Sequence, residues 1–339
     1  MSEDRIVNPE PQEEDKPIDY TLRPQSLEEF IGQDKIKEQL KIAVEASKIR
    51  SQSLEHVLLV GPPGLGKTTL ATVIANELEV GFKSTIGPTM ERQLDLSAIL
   101  TNLQNGDVLF IDEVHRMKNI VQEMLYPAME DYKLDITIGE GPSANIVQIP
   151  LPRFTLVGAT TREGLLTGPF RDRFGFHLHL DYYEVDDIYI IIKTNAKALK
   201  IDIDDEAGWE IAQRARGTPR VAKRLLIRVW DYALYKTETG IITKEIAQDA
   251  LEFYGIDELG LDDRDRKLLR TIIEQFGGRA VGLKAIAVSI SEDERTIEDV
   301  YEPYLIKIGF LTLTRMGRIA TEAAYEHLGI PLPQQRRLF

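Results

Sequence analysis

The chain contains no cysteine. That absence excludes disulfides, zinc ribbons and thiol catalysis, and leaves the reducing cytoplasm as the expected setting. Long apolar runs are missing too: no stretch approaches the roughly 18 uncharged apolar residues that a membrane helix requires, so no membrane partner is expected. Histidine is scarce, with five in 339 residues. His177 and His179 of "HLH" alternate on a predicted strand with no third ligand nearby, which points to structural roles rather than a metal site. Positive charge is the remaining deficit. With 41 Lys and Arg against 55 Asp and Glu, the net charge is −14, which argues against a surface coated for nucleic acid. Charge acts over only about 8–10 Å at cellular ionic strength, so a local exception stays open. Residues 303–339 supply it, with Lys307, Arg315, Arg318, Arg336 and Arg337 against Glu322 and Glu326.

What is present is a 43% apolar, 28% charged chain, long enough for two or three domains. Residues 1–17, "MSEDRIVNPEPQEEDKP", are acidic, polar and proline-bearing, and are expected to form a disordered leader rather than a signal or transit peptide. Residues 18–182 alternate short β-rich runs ("HVLLV", "DVLFI", "RFTLVGAT", "FHLHL") with helical ones such as "GKTTLATVIANEL". Near-continuous apolar strands separated by helices predict an α/β fold, a parallel sheet with helices on both faces. One insertion, 134–150, reads as a β-hairpin around "GEGPSAN". Residues 183–255 carry only helical periodicity, broken at "RGTPR" and "TETGIITKE", and predict a small all-α domain. Residues 256–334 read as three helices followed by "FLTLTRMGRIAT", alternating on both sides of a glycine turn. This is a winged helix, an arrangement that most often binds DNA, and residues 335–339 form a basic tail.

The strongest chemical signal is "GPPGLGKTT", Gly61–Thr69, which fits the phosphate-binding loop G-x-x-x-x-G-K-[ST] and lies between a predicted strand and helix. Its glycines let backbone N–H groups wrap phosphates, Lys67 reaches the β and γ phosphates, and Thr68 ligates Mg²⁺. Gly64, Leu65, Gly66, Lys67, Thr68 and Thr69 are thus the expected ATP cradle. Downstream, "DVLFIDEVH" ends an apolar strand in Asp112, suited to holding Mg²⁺, and Glu113, suited to activating a water. The next strand, "FTLVGATTR", ends in Thr160, Thr161 and Arg162. A hydroxyl there fixes the lytic water or is a plain strand-end threonine, and Thr161 is favoured over Thr160. "GPFRDRFG", residues 168–175, places Arg171 and Arg173 around Asp172. Such a cluster either satisfies itself locally or neutralises a phosphate.

Taken together, "GPPGLGKTT", "LFIDEVHR", "LYPAMEDY", "GATTREG", "GPFRDRFG", "RARGTPRVAKRLL" and "EPYLIKIGFL" resemble the bacterial RuvB family of Holliday-junction branch-migration motors, hexameric AAA+ ATPases. The resemblance covers about Tyr20 to Pro333. It implies an AAA+ ATPase domain, a helical lid and a winged-helix head, working with ATP and Mg²⁺ as a homo-hexamer on double-stranded DNA at Holliday junctions. It also implies a RuvA-like junction-recognition partner contacted through the 134–150 hairpin, and a RuvC-like resolvase complex. Ile136, Ile138, Ile146 and Ile149 of the hairpin suit either a partner surface or strand packing. By position in the motifs, Arg173 would be an arginine presented to a neighbour's nucleotide, and Arg171 a structural or second contact. Glu130, Asp131, Tyr132 and Asp172 would then form the subunit contact, and Arg220 in "GTPR" a second sensor in the lid. Leu22, Arg23, Ile31 and Tyr183 would be adenine and ribose contacts. Arg315 and Arg318 bracket the wing turn as DNA contacts, with Arg295 a weaker candidate. The rival reading is a nucleotide switch of clamp-loader or winged-helix regulator type. Such a switch needs no water-activating Glu113, and clamp loaders normally carry a cysteine zinc module, which this chain lacks.

Overall fold

A computed structural model describes residues 5–12, 22–90, 92–138, 145–237 and 239–332, with backbone alone at 136–138 and 145–146. The chain parts into two compact units between Asp181 and Tyr182, and the N-terminal residues belong to the second. Among the described residues no helix is long and apolar enough to cross a membrane.

The first unit is built on five parallel strands: β1 (Val57–Val60), β2 (Phe82–Ile86), β3 (Val108–Asp112), β6 (Thr155–Thr160) and β7 (Phe176–His179). They lie in the order β2-β3-β6-β1-β7. The apolar runs "VLLV" and "TLVGAT" are buried at every position, as strands covered on both faces must be. Helices α1 (Asp34–Arg50), α2 (Lys67–Leu78), α3 (Gln93–Thr101) and α4 (Asn119–Glu130) connect and cover the sheet. One core cluster joins Leu109, Leu125, Phe154, Leu156 and Phe170. α1 carries Asp34 in its first turn and Lys48 and Arg50 in its last, which complements the helix dipole. The 134–150 insertion is a hairpin: β4 (Lys133–Ile138) pairs antiparallel with β5 (Asn145–Pro150), from Lys133↔Pro150 to Ile138↔Asn145. Its base is anchored, with Leu134 fully buried and Ile149 packed on the core, whereas Val147 is exposed. The side chains of Ile136, Ile138 and Ile146 lie outside the described residues.

The second unit holds a four-helix lid and a winged helix. The lid helices are α6 (Val185–Leu199), α7 (Asp205–Arg214), α8 (Pro219–Thr237) and α9 (Lys244–Phe253); α5 (Gly168–Arg171) precedes β7 in the first unit. Side-chain caps start two of them: Asp204 accepts from the Ala207 N–H at 2.6 Å and Thr243 from the Ile246 N–H at 3.4 Å, satisfying donors a helix start leaves unpaired. The winged helix comprises α10 (Asp263–Arg270), α11 (Leu283–Ile290), α12 (Glu294–Thr296), α13 (Glu302–Lys307), the antiparallel wing β8 (Leu311–Thr314) and β9 (Gly317–Ala320), and α14 (Glu322–His327). Between α12 and α13 a π turn spans Ile297–Tyr301. Pro303 follows it, and a proline that lacks an N–H and crowds the carbonyl four residues back forces such a widening.

The expected disordered leader is corrected over 5–12. Val7 is fully buried, and Arg5 pairs with Asp262 at 2.6 Å and Asp265 at 2.9 Å while lying 4.1 Å above the Tyr301 ring. Polar composition is a property of the whole segment, and it concealed one apolar residue and one arginine with buried partners. The rest of the leader and residues 333–339, with the basic tail, lie outside the described residues.

His56 generates a test of the first unit's stability. Its Nδ1 accepts from the Leu156 N–H at 2.9 Å and its Nε2 faces the Met129 carbonyl at 3.0 Å. Only the neutral ring with its proton on Nε2 satisfies both. Burial pushes its pKa below the ordinary 6.5, so the folded state binds fewer protons than the unfolded one. Stability is therefore complete above about pH 6.5 and declines as pH falls below it. Denaturant unfolding from pH 8 to 5.5 should show this decline. In His56→Phe the slope should flatten while stability drops by about 1–3 kcal/mol for the orphaned Leu156 N–H.

Candidate functional site

The sheet's carboxyl edge gathers the predicted chemistry because three neighbouring strands end together. In register, Val60 of β1 sits opposite Thr160 of β6, and Ile111 of β3 opposite Gly158. Ligands of open parallel sheets bind at this edge. After Val60 the chain enters a loop that only glycine makes comfortable: Gly61, Gly64 and Gly66 have φ of 154°, 80° and 96°, and a Cβ on Gly61 would lie 2.5 Å from the Leu180 carbonyl oxygen. α2 then opens at Lys67, turning its unpaired N–H groups and positive dipole end toward the loop. The Lys67 ammonium is buried and donates to the Gly61 and Pro62 carbonyls, both at 2.7 Å, which folds it back over the loop. Leu65 is buried, and Thr68 and Thr69 are half-buried in the first turn. Left-handed glycines, a helix start and an arched ammonium together fit a polyphosphate.

Asp112 ends β3 half-buried, and its Oδ1 accepts the Glu113 N–H at 2.9 Å. Glu113 itself is left-handed, at φ 51°, a conformation uncommon outside glycine. The carboxylate of Glu113 is held at 2.7 Å by Arg116, and both partners are about half exposed. On the adjacent strand Thr160 is buried; its Oγ1 accepts the Arg162 N–H at 3.0 Å and bonds His115 Nδ1 at 3.0 Å. Thr161 lies one residue beyond the strand, half-buried, and its hydroxyl makes no hydrogen bond among the described residues. His115 is the residue that sequence reasoning missed. It follows Glu113 by two positions and ties the threonine strand to the acidic strand, and the "DEVH" string was the available signal.

A second cluster forms at the opposite edge. Arg173 precedes β7, whose first residue Phe176 pairs with Val57 at the start of β1. It therefore enters at the amino edge, about 13 Å of strand away from the loop that follows Val60. There its guanidinium stacks 4.2 Å from the Tyr126 ring and pairs with Glu130 at 3.1 Å, at the end of α4. Tyr126 is itself fixed by Thr167 at 3.1 Å. Asp131 and Asp172 are exposed, and Tyr132 is half-buried, at φ 54°, edge-on to Phe154. Of the predicted set, Glu130 and Arg173 are in direct contact, and Asp131, Tyr132 and Asp172 adjoin them along the chain. Arg171 is half-buried, and its side chain has no partner among the described residues.

Leu22, Arg23 and Ile31 are half-buried in the first unit. In the second, Tyr183 is buried and its N–H donates to Gly217 at 2.9 Å. Arg220, in the first turn of α8, donates to the Pro9 carbonyl at 2.9 Å. In the wing, Arg315 is exposed at the hairpin turn beside Met316, and Arg295 is exposed on α12. Arg318, expected to face phosphates with Arg315, is instead turned inward. It donates to Glu302 at 2.7 and 3.2 Å and to Glu298 at 3.3 Å, and the Glu302 hydrogen bond, outweighing burial, raises its pKa further. β9 directs this side chain toward the preceding helix, so its donors are already engaged.

The family model described as the Holliday junction DNA helicase RuvB P-loop domain matches residues 22–180, the RuvB AAA lid domain 183–257, and the RuvB C-terminal winged helix domain 258–329. Among solved structures, the Thermotoga maritima RuvB Holliday junction branch migration motor is 49% identical, with a TM-score of 0.84 over 92% of this chain and 100% of that one. A proline-to-glycine mutant of Thermotoga maritima RuvB is also 49% identical, with a TM-score of 0.85 over 92% of this chain and 100% of that one. A lysine-to-arginine mutant of it is similar at 49% identity and a TM-score of 0.85, over 92% of this chain and 99% of that one.

Two variants separate binding from chemistry. Lys67→Ala should abolish ATP binding in a fluorescent-nucleotide titration. Glu113→Gln should bind ATP normally and release phosphate about 10²–10⁴-fold more slowly. Undiminished turnover in either would remove that residue from its role.

Proposed function

The chain belongs to the RuvB family of Holliday junction branch migration motors, and from that premise we propose that six copies form a cytoplasmic ring that couples ATP hydrolysis to the movement of duplex DNA. One observation carries the reading of the ring. The phosphate-binding loop and Arg173 lie at opposite edges of the same sheet, so Arg173 is out of reach of its own subunit's nucleotide and suited to a neighbour's.

The residues divide the work as follows. Loop N–H groups of Gly64, Leu65 and Gly66 and the start of α2 bind the phosphates, with Lys67 spanning β and γ. Thr68 and Asp112 would hold a Mg²⁺ ion, which neutralises phosphate charge and fixes phosphate geometry when bound. Glu113 takes the proton of a water aimed at the γ-phosphorus, and Thr161 orients that water. Its unpaired hydroxyl supports it over Thr160, whose oxygen is engaged by His115 and Arg162. The neighbour's Arg173 neutralises charge on the departing phosphoryl group, exchanging Glu130 for the nucleotide. Leu22, Arg23, Ile31 and Tyr183 receive the adenine and ribose, and Arg220 contributes from the lid.

Loss of the γ-phosphate removes the charge that Arg173 and Arg220 read, and this shifts lid against ATPase domain. The winged helix would deliver that movement to DNA, with exposed Arg315 and Arg295 as its phosphate contacts. An acidic chain with few such contacts suits a protein that slides, because each additional phosphate contact deepens binding. The hairpin's exposed Val147 supports docking of a RuvA-like junction-recognition protein, and a RuvC-like resolvase would act on the same junction.

Mixing Lys67→Ala with Arg173→Ala tests the shared site. Each variant alone should be inactive, whereas mixed rings should recover part of the ATPase activity, since some interfaces pair an intact loop with an intact arginine. No recovery in rings verified as mixed would refute the assignment in trans.

A further inference from the structure

Residues 5–12 are anchored at one end and occupied at the other. At the anchor, Arg5 meets Asp262 and Asp265, and Arg216 from the lid reaches Asp265 as well. Asp265 is fully buried, Arg5 and Arg216 nearly so. Arg5 lies over Tyr301 and Arg216 over Tyr304. Burial raises the Asp262 pKa, but the Arg5 charge and hydrogen bond, the Arg216 charge and the Asp265 N–H together outweigh it and hold the carboxyl far below its usual range, so the pairing persists throughout neutral pH. Val7 is then fully buried. Beyond it the main chain turns its carbonyls to the lid. Arg224 donates to Asn8 and Glu10, and Arg220 donates to Pro9 at 2.9 Å. These two arginines are four residues apart on α8, one turn along one face. Asn8 keeps the bend in place, its Oδ1 accepting the Glu10 N–H at 2.9 Å, and Gln12 closes it on the Arg5 carbonyl at 3.1 Å.

We propose that residues 5–12 are a clasp that positions the arginine-bearing turn of α8: the segment is pinned to the winged helix by Arg5, is seated by the buried Val7, and holds Arg220 and Arg224 with successive carbonyls. The catalytic consequence rests on reading Arg220 as the lid's sensor of the phosphates; the positioning itself does not. Arg5 and Val7 act through Arg220, and the clasp makes the set of that side chain depend on the DNA-binding domain. Strain on the winged helix then reaches the lid arginine through the five residues from Arg5 to Pro9.

The test uses full-length protein carrying Val7→Asp or Arg5→Ala, with Arg220→Ala as reference. Hydrogen exchange at amides 220–225 should accelerate about tenfold or more in both clasp variants, with the β6 amides 155–160 unchanged. ATP turnover should fall toward that of Arg220→Ala, and Val7→Asp should have no further effect in the Arg220→Ala background. Adding the peptide of residues 1–14 to protein lacking 1–12 should restore protection. Unchanged exchange at 220–225 would overturn the clasp, as would turnover losses that multiply with Arg220→Ala instead of saturating. Wild-type turnover in Arg220→Ala would refute its sensor role, while exchange at 220–225 would still decide the clasp alone. Should Val7→Asp fail to fold, Arg5→Ala carries both readouts.

Discussion

The common direction of five hydrogen-bonded strands is the constraint on which the rest depends. Because β3, β6 and β1 run parallel and in register, the loop after Val60, the carboxylates at 112–113 and the threonines at 160–161 must emerge on one edge. The same constraint sends Arg173 to the other edge, since it precedes a strand rather than following one. No side-chain adjustment converts one edge into the other. A single subunit therefore holds the phosphate site and the arginine cluster but cannot bring them together.

Much of this was legible in the sequence where it is local. The phosphate loop, the acidic strand end, the hairpin and the lid helices are each set by contiguous residues, through glycine conformations, apolar runs and caps. Partnerships across long separations were not. Arg5 and Asp262 are 257 positions apart, and nothing in an acidic, proline-bearing leader announces a buried arginine. His115 was visible as a residue, but its bond to Thr160 follows only once β3 and β6 are neighbours. Arg318 illustrates the opposite error. Its place beside a glycine turn suggested a phosphate contact, whereas the alternation of the wing hairpin points it at Glu298 and Glu302.

A common device recurs at three of the arginines. Arg173 lies over Tyr126 and beside Glu130, Arg5 over Tyr301 beside Asp262, and Arg216 over Tyr304 beside Asp265. An aromatic face restricts the guanidinium plane and a carboxylate sets its direction. Depth distinguishes them. Glu130 is more than half exposed, so Arg173 can exchange it for a phosphate at modest cost. Asp265 is fully buried, so Arg5 and Arg216 are committed. Acidic side chains thus hold these three arginines, two in buried pairs and one, Arg173, at an exposed carboxylate.

The central claim is that Arg173 serves the nucleotide of a neighbouring subunit. A structure of the Glu113→Gln ring trapped with ATP tests it most directly, by the distance from the Arg173 guanidinium to each γ-phosphate. The account predicts hydrogen-bond distance to the neighbour's phosphate, with Glu130 released, and a separation of at least about 13 Å, the length of a four-residue strand, from its own. Arg173 still bound to Glu130 in an ATP-filled interface, with another cation at the γ-phosphate, would contradict it.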